Sequence, residues 1–117
     1  MNIPMHEYPI TMRIIEIAQE FAEKNDAKSI KQINLIVGDY SGYVASSIEL
    51  YFDIIAEGSL AKNAKLNIER IVPKLKCNNC GSLFERKPFS FQCPNCNGEG
   101  IPTEIGKEFY IKSIEIE

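Results

Sequence analysis

Cys77-Asn78-Asn79-Cys80 and Cys93-Pro94-Asn95-Cys96 contain every cysteine of the chain, as two C-x-x-C pairs with twelve residues between them. Two short knuckles joined by a loop bring four soft ligands together from two directions. A tetrahedral ion requires that arrangement, and thiolates suit Zn²⁺ best among common cellular metals. Gly81 lets the chain turn tightly after the first pair, so that backbone N–H groups point at the sulfurs. Pro94 stiffens the second knuckle. The competing arrangements are two disulfides or four free thiols. A two-residue spacer makes a strained small-ring disulfide, and no secretion signal directs the chain to an oxidising compartment.

At 117 residues the sequence is one domain, or one domain carrying a small appendage. No apolar run approaches the roughly 18 residues of a membrane span, so no membrane partner is expected. Met1-Asn2-Ile3-Pro4 has neither the basic nor the apolar region of a signal peptide, and a cytoplasmic location is the expectation. The formal charge is −3. Four thiolates around one Zn²⁺ make it two units more negative. Such a chain binds phosphate backbone poorly, so no nucleic-acid partner is expected.

Read in order, the chain begins with Met5-His6-Glu7 just before a first helix, and His6 is its only histidine. Pro9 fits the first helical turn. Ile10, Ile14, Ile17, Ala18 and Phe21 recur at helical spacing and predict the buried stripe. A strand over 29–37 follows, with Ile33, Leu35 and Val37 on one face and Ile36 breaking the alternation. After the turn-rich Gly38-Asp39-Tyr40-Ser41-Gly42, a second helix is expected over 45–57. It buries Ile48, Tyr51, Phe52 and Ile55, with Gly58 ending it in the left-handed conformation. A second strand covers 65–72 and stops at Pro73. Beyond it the metal module contains Leu83, Phe84, Phe89 and Phe91, read as a miniature core around the ion. Gly98, Gly100, Pro102 and Gly106 read as a flexible return. The last ten residues form a strand whose apolar parity changes after Ile111, which predicts a bulge near Lys112-Ser113.

These elements predict an α+β fold. A small three-stranded mixed sheet carries two helices on one face, and a four-cysteine zinc-ribbon module is inserted. The expected division is an α/β domain of residues 1–73 with 106–117, and an inserted zinc-binding domain of residues 74–105. The strand–helix–strand unit favours a parallel pair with a right-handed crossover. The simplest pairing of the remainder makes the second and last strands antiparallel neighbours.

In its ordered motifs the sequence resembles the HypA family of hydrogenase nickel-insertion accessory proteins. The resemblance rests on Met5-His6-Glu7 leading into an amphipathic helix and on Gly38-Asp39-Tyr40-Ser41-Gly42 before the second. It rests also on Gly58-Ser59-Leu60, Ala64-Lys65-Leu66, the C-x-x-C…C-P-x-C module, Gly106-Lys107-Glu108 and Lys112-Ser113-Ile114-Glu115. It implies a metallochaperone with a structural Zn²⁺ on Cys77, Cys80, Cys93 and Cys96. It implies a transiently held Ni²⁺ on His6, with backbone or side-chain groups of Met5 and Glu7 as further ligands. The implied partners are a HypB-type GTPase and the hydrogenase large-subunit precursor, and some members also serve urease maturation. One departure matters. Met1 to Pro4 precede Met5, so the free amine that the family places beside the histidine is missing as written. Either Met5 is the true start, or this protein lacks the amine ligand and binds nickel more weakly or in an altered geometry.

Three other functions compete. A rubredoxin-like iron carrier shares the two knuckles. A nucleic-acid-binding zinc ribbon finds local support in Lys74, Lys76, Arg86 and Lys87. An enzyme lacks a nucleophile–base pair and a phosphate-binding glycine loop, and four cysteines leave no open position on the metal; no catalytic residues are expected. For Glu7, stabilising the positive end of its own helix competes with a place beside the nickel.

Overall fold

A computed structural model describes residues 7–117. Among the described residues, six strands form two separate three-stranded sheets, accompanied by two α-helices. In order they are α1 (Glu7–Lys24), β1 (Ile30–Gly38), α2 (Ala45–Ile55), β2 (Lys65–Ile71), β3 (Leu75–Cys77), β4 (Leu83–Phe84), β5 (Gly100–Pro102) and β6 (Phe109–Ile116). The first sheet runs β2-β1-β6 and the second β4-β3-β5. The radius of gyration is 18.1 Å. A compact chain of this length has about 13 Å, so the molecule is drawn out into two lobes.

The first sheet is mixed, as expected. β1 pairs in parallel with β2 and antiparallel with β6. The second and last strands are therefore not neighbours, contrary to the simplest pairing. The reason lies in β1, where Ile30, Ile33, Leu35, Ile36 and Val37 are all buried. So apolar a strand belongs at the centre. β2 and β6 carry exposed charges at Lys65, Glu69, Arg70, Lys112 and Glu115, as suits edge strands. Asn34 lies opposite Ser113 and Leu35 opposite Ile111, so Lys112 is the extra residue of the bulge that the parity change predicts.

Both helices cover one face of this sheet. Ile14, Ile15, Ala18 and Ala22 of α1 meet Ile48 and Phe52 of α2 over Ile33, Leu35 and Val37. The buried stripe of α1 is turned from the expected one. It comprises Glu7, Thr11, Ile14, Ile15, Ala18 and Ala22, whereas Phe21 is exposed. Thr11 enters the core because its hydroxyl donates to the Glu7 carbonyl, which satisfies it locally. Helix α2 also ends differently. A 3-10 turn over Ala56–Gly58 closes it, and extended Ser59 donates from both its N–H and its hydroxyl to the Ala56 carbonyl. A left-handed Gly58 is not used.

The module's two ends leave the first lobe where three of that lobe's backbone segments cross. The Gly38 N–H donates to the Glu108 carbonyl at 2.7 Å and the Tyr40 N–H to the Gly106 carbonyl at 2.7 Å, while the Asp39 N–H reaches Ile71. A Cβ on Gly38 would lie 2.1 Å from the Gly106 carbonyl oxygen. Gly106 itself has φ +102 and packs on Pro73. Gly38→Ala is expected to lower stability by more than about 1 kcal/mol, read as a reduced urea midpoint. An unchanged midpoint would show that the junction yields freely.

Candidate metal centre

The second lobe is built around sulfur. Among the described residues, Cys77, Cys80, Cys93 and Cys96 place their sulfurs within 4.8 Å of one another. All four are free cysteines, so the disulfide alternative does not hold. The closest approaches run between knuckles, Cys77 to Cys96 at 3.4 Å and Cys80 to Cys93 at 3.6 Å. A tetrahedron with Zn–S bonds of about 2.3 Å has an edge of about 3.8 Å. Donor chemistry and spacing therefore both fit a four-thiolate Zn²⁺.

Each knuckle is a tight turn of the same form. The Gly81 N–H donates to the Cys77 carbonyl at 3.1 Å, and the Asn97 N–H to the Cys93 carbonyl at 2.9 Å. Gly81 has φ 76 and Asn97 φ 63. Asn tolerates this left-handed conformation better than most residues, so Asn97 serves where the first knuckle uses glycine. The turns aim N–H groups at the sulfurs, as the position of Gly81 implies. Asn79 and Cys80 each donate to Cys77 Sγ at 3.4 Å, and Asn95 to Cys93 Sγ at 3.4 Å.

These contacts sort the thiols. The Cys80 N–H, foremost, lowers the Cys77 thiol from its ordinary value. The Ser82 hydroxyl, 3.2 Å from Cys80 Sγ, and the Ser82 backbone lower Cys80 to about 6. Burial pushes Cys93 up. Hydrogen bonds that favour thiolate prepare a site for a cation, and the ion itself must complete the ionisation of the buried sulfur.

Several residues around the sulfurs escaped the sequence reading. The Asn79 side chain reaches Cys96 Sγ at 3.6 Å, and Asn95 Nδ2 donates to Ser82 Oγ at 3.0 Å. Gly98 is not part of a flexible return. A Cβ there would lie 2.8 Å from Cys77 Sγ and 3.3 Å from Cys96 Sγ, and Gly100–Pro102 is strand β5. The miniature core also differs from expectation. Leu75, Cys77, Phe84 and Cys93 form it. Leu83 is 53 % exposed, Phe91 50 % and Phe89 100 %. A shell this small closes over the sulfurs with only one of the four aromatic and aliphatic candidates.

The nitrogen site expected at the start of the chain stands differently. Met5 and His6 lie outside the described residues. Glu7 is not before the helix but its first residue, and it is fully buried. Its Oε2 accepts the Val44 N–H at 3.2 Å. Val44 is the N-cap of α2 and has no side chain able to cap. Glu7 thus supplies to α2, across helices, the reach-back contact that a capping-box glutamate makes within one helix. It fastens the residue after His6 to the start of α2, and Tyr8 packs edge-on against Tyr51 at 5.3 Å beside it.

Cys93→Ser is expected to release the metal of the module and to disorder residues 74–105 more than the β2-β1-β6 sheet. Metal analysis with amide hydrogen exchange reads this out, and a cysteine variant whose module stays protected would deny the ion a structural role.

Comparison with known proteins agrees with this geometry. The family described as "Hydrogenase/urease nickel incorporation, metallochaperone, hypA" matches residues 5–116. A hydrogenase maturation factor HypA of Caldanaerobacter subterraneus is 39% identical over 114 residues, covering 97% of this chain and 100% of that one. One from Dehalococcoides mccartyi is 36% identical, covering 97% and 95%. The solution structure of the Ni metallochaperone HypA from Helicobacter pylori superposes with a TM-score of 0.61 at 28% identity, covering 94% of this chain and 96% of that one. With the sulfur cluster, the inserted module and a match over nearly its whole length, the chain belongs to the HypA family.

Proposed function

We propose that this chain is a nickel metallochaperone for hydrogenase maturation, carrying Ni²⁺ as cargo on its N-terminal segment and a resident Zn²⁺ in the sulfur cluster. The observation that carries this is the family match over residues 5–116 in a chain whose four cysteines converge on one point. The match favours delivery over a rubredoxin-like iron carrier or a nucleic-acid ribbon. The work is then binding and transfer rather than catalysis. Residues 1–73 with 106–117 serve as the nickel unit, and 74–105 as the zinc unit.

The division follows from ligand chemistry. Cys77, Cys80, Cys93 and Cys96 would hold Zn²⁺, which supplies a closed cross-link between the two knuckles. Ni²⁺ accepts a square-planar nitrogen set. The His6 imidazole anchors it, and amide nitrogens of the Met5-His6-Glu7 segment complete the set. Glu7 supports this by holding its own end of the segment on α2 through the Val44 N–H. The cargo is handed over to a HypB-type GTPase or to a hydrogenase large-subunit precursor.

His6→Ala is expected to abolish stoichiometric Ni²⁺ binding and to leave zinc content and circular dichroism unchanged. Retained nickel at the N-terminal segment would overturn the assignment. Pro4 has no amide proton to give up. A chain beginning at Met5 is therefore expected to bind Ni²⁺ more tightly than one beginning at Met1, by calorimetric titration. Equal affinities would remove the terminal amine from the ligand set.

A further inference from the structure

Phe89 is 100 % exposed and has φ 60. A bulky aromatic residue in left-handed backbone, fully in water, is an outlier twice over. It stands at the tip of the 85–91 loop of the sulfur module, next to Arg86, whose guanidinium lies 4.4 Å over the Phe91 ring. Beneath the loop is an open cleft of about 450 Å³ between the two lobes, whose apolar lining includes Tyr40, Val72, Pro73 and Pro88. Two further hollows adjoin it. One shares Tyr40, Pro73 and Arg86 with the cleft and runs toward Leu75 and Phe91. The other shares Asp39 and runs to Val44 and Ala45 at the start of α2. Through these shared residues the three hollows adjoin as a trough, lined from Leu75 and Phe91 of the sulfur module, past Asp39 and Tyr40, to Val44 and Ala45 at the start of α2.

Charge is distributed unevenly along it. Lys74, Arg86 and Lys87 border its module end. Asp39 is held by Arg70 at 2.9 Å, and Lys107 by Glu104 at 3.3 Å, which leaves Glu85 as the opposing carboxylate there. Residues 74–105 hold four cations against three acids, whereas the rest of the chain holds nine against thirteen. An exposed aromatic beside arginine, over an apolar cleft with a cationic rim, is the composition of an interface anchor.

We propose that this trough is the docking site for an acidic segment of the protein that receives the nickel, with an apolar side chain of that segment seated against Phe89, Tyr40 and Val72. The assignment of a receiving protein rests on the delivery function proposed above. Carboxylates of the segment meet Arg86, Lys87 and Lys74. The far end of the trough then brings the same partner to the start of α2, beside the residue that follows His6.

The test uses the full, zinc-loaded chain and a purified unmatured hydrogenase large subunit, with affinity measured at low and high salt. Phe89→Ala is expected to weaken binding roughly tenfold or more. Arg86→Glu with Lys87→Glu is expected to weaken it further and to flatten its salt dependence. Both variants keep wild-type zinc and nickel stoichiometry, because neither touches a ligand. His6→Ala, which carries no nickel, docks as wild type does. Equal affinities for wild type, Phe89→Ala and the double variant overturn the proposal, and so does a subunit that does not bind the wild type. Variants that keep the subunit but lose a single-stranded oligonucleotide assign the cationic rim to nucleic acid and overturn it too. Docking that depends on Phe89 in a chain that takes up no Ni²⁺ supports the surface and sinks the delivery function alone.

Discussion

The inserted module has almost nothing to hold it but its sulfurs. Its buried residues are Leu75, Cys77, Phe84 and Cys93, so half of its core is ligand. Its strands span two or three residues each. Segments this small do not bury enough apolar surface to offset the entropy of ordering them, and those below about 40 residues usually depend on metals or disulfides. The hydrogen bonds from Asn79, Cys80 and Asn95 arrange the sulfurs, but an ion is what makes their convergence favourable. The trough inherits this dependence, since Arg86, Lys87 and Phe89 stand on the loop between the knuckles.

The other lobe obeys different rules. It is an ordinary two-layer sandwich of helices on a sheet, held by apolar packing around Ile33, Leu35, Ile48 and Phe52. A closed thiolate cage suits an ion that stays. Where the module leaves the sheet, Gly38 and Gly106 approach so closely that a methyl group on the first would meet a carbonyl of the second. The module's 85–89 loop faces Asp39, Tyr40, Val72 and Pro73 across the cleft.

Much of this was legible in the residues. Cysteine spacing located the cluster, the strand–helix–strand unit gave the parallel pair, and the parity change after Ile111 located the bulge at Lys112. What escaped detection was tertiary. The buried face of α1 turned because Thr11 is satisfied by the Glu7 carbonyl and Glu7 by the Val44 N–H, contacts that patterns of polar and apolar residues do not record. The central place of β1 is available in its nearly continuous apolar run, in which Ile36 breaks the alternation of Ile33, Leu35 and Val37. Phe89 and Phe91 were assigned to a core because aromatic residues usually are. The lobe that carries them is too thin to cover them, and only coordinates reveal that. His6 is singled out by family motifs alone, and it lies outside the described residues.

The strand order bears on how the protein is made. β1 pairs on one side with β2, which follows after the crossover through α2, and on the other with β6, which comes after the whole module. A ribosome therefore exposes one flank of the most hydrophobic strand for the whole time it takes to synthesise the module. Prompt metallation shortens the wait only indirectly, by drawing the two ends of the insertion together so that β6 emerges close to its vacant edge. Where the module goes without its metal, the first casualty is then expected to be solubility of the nascent chain.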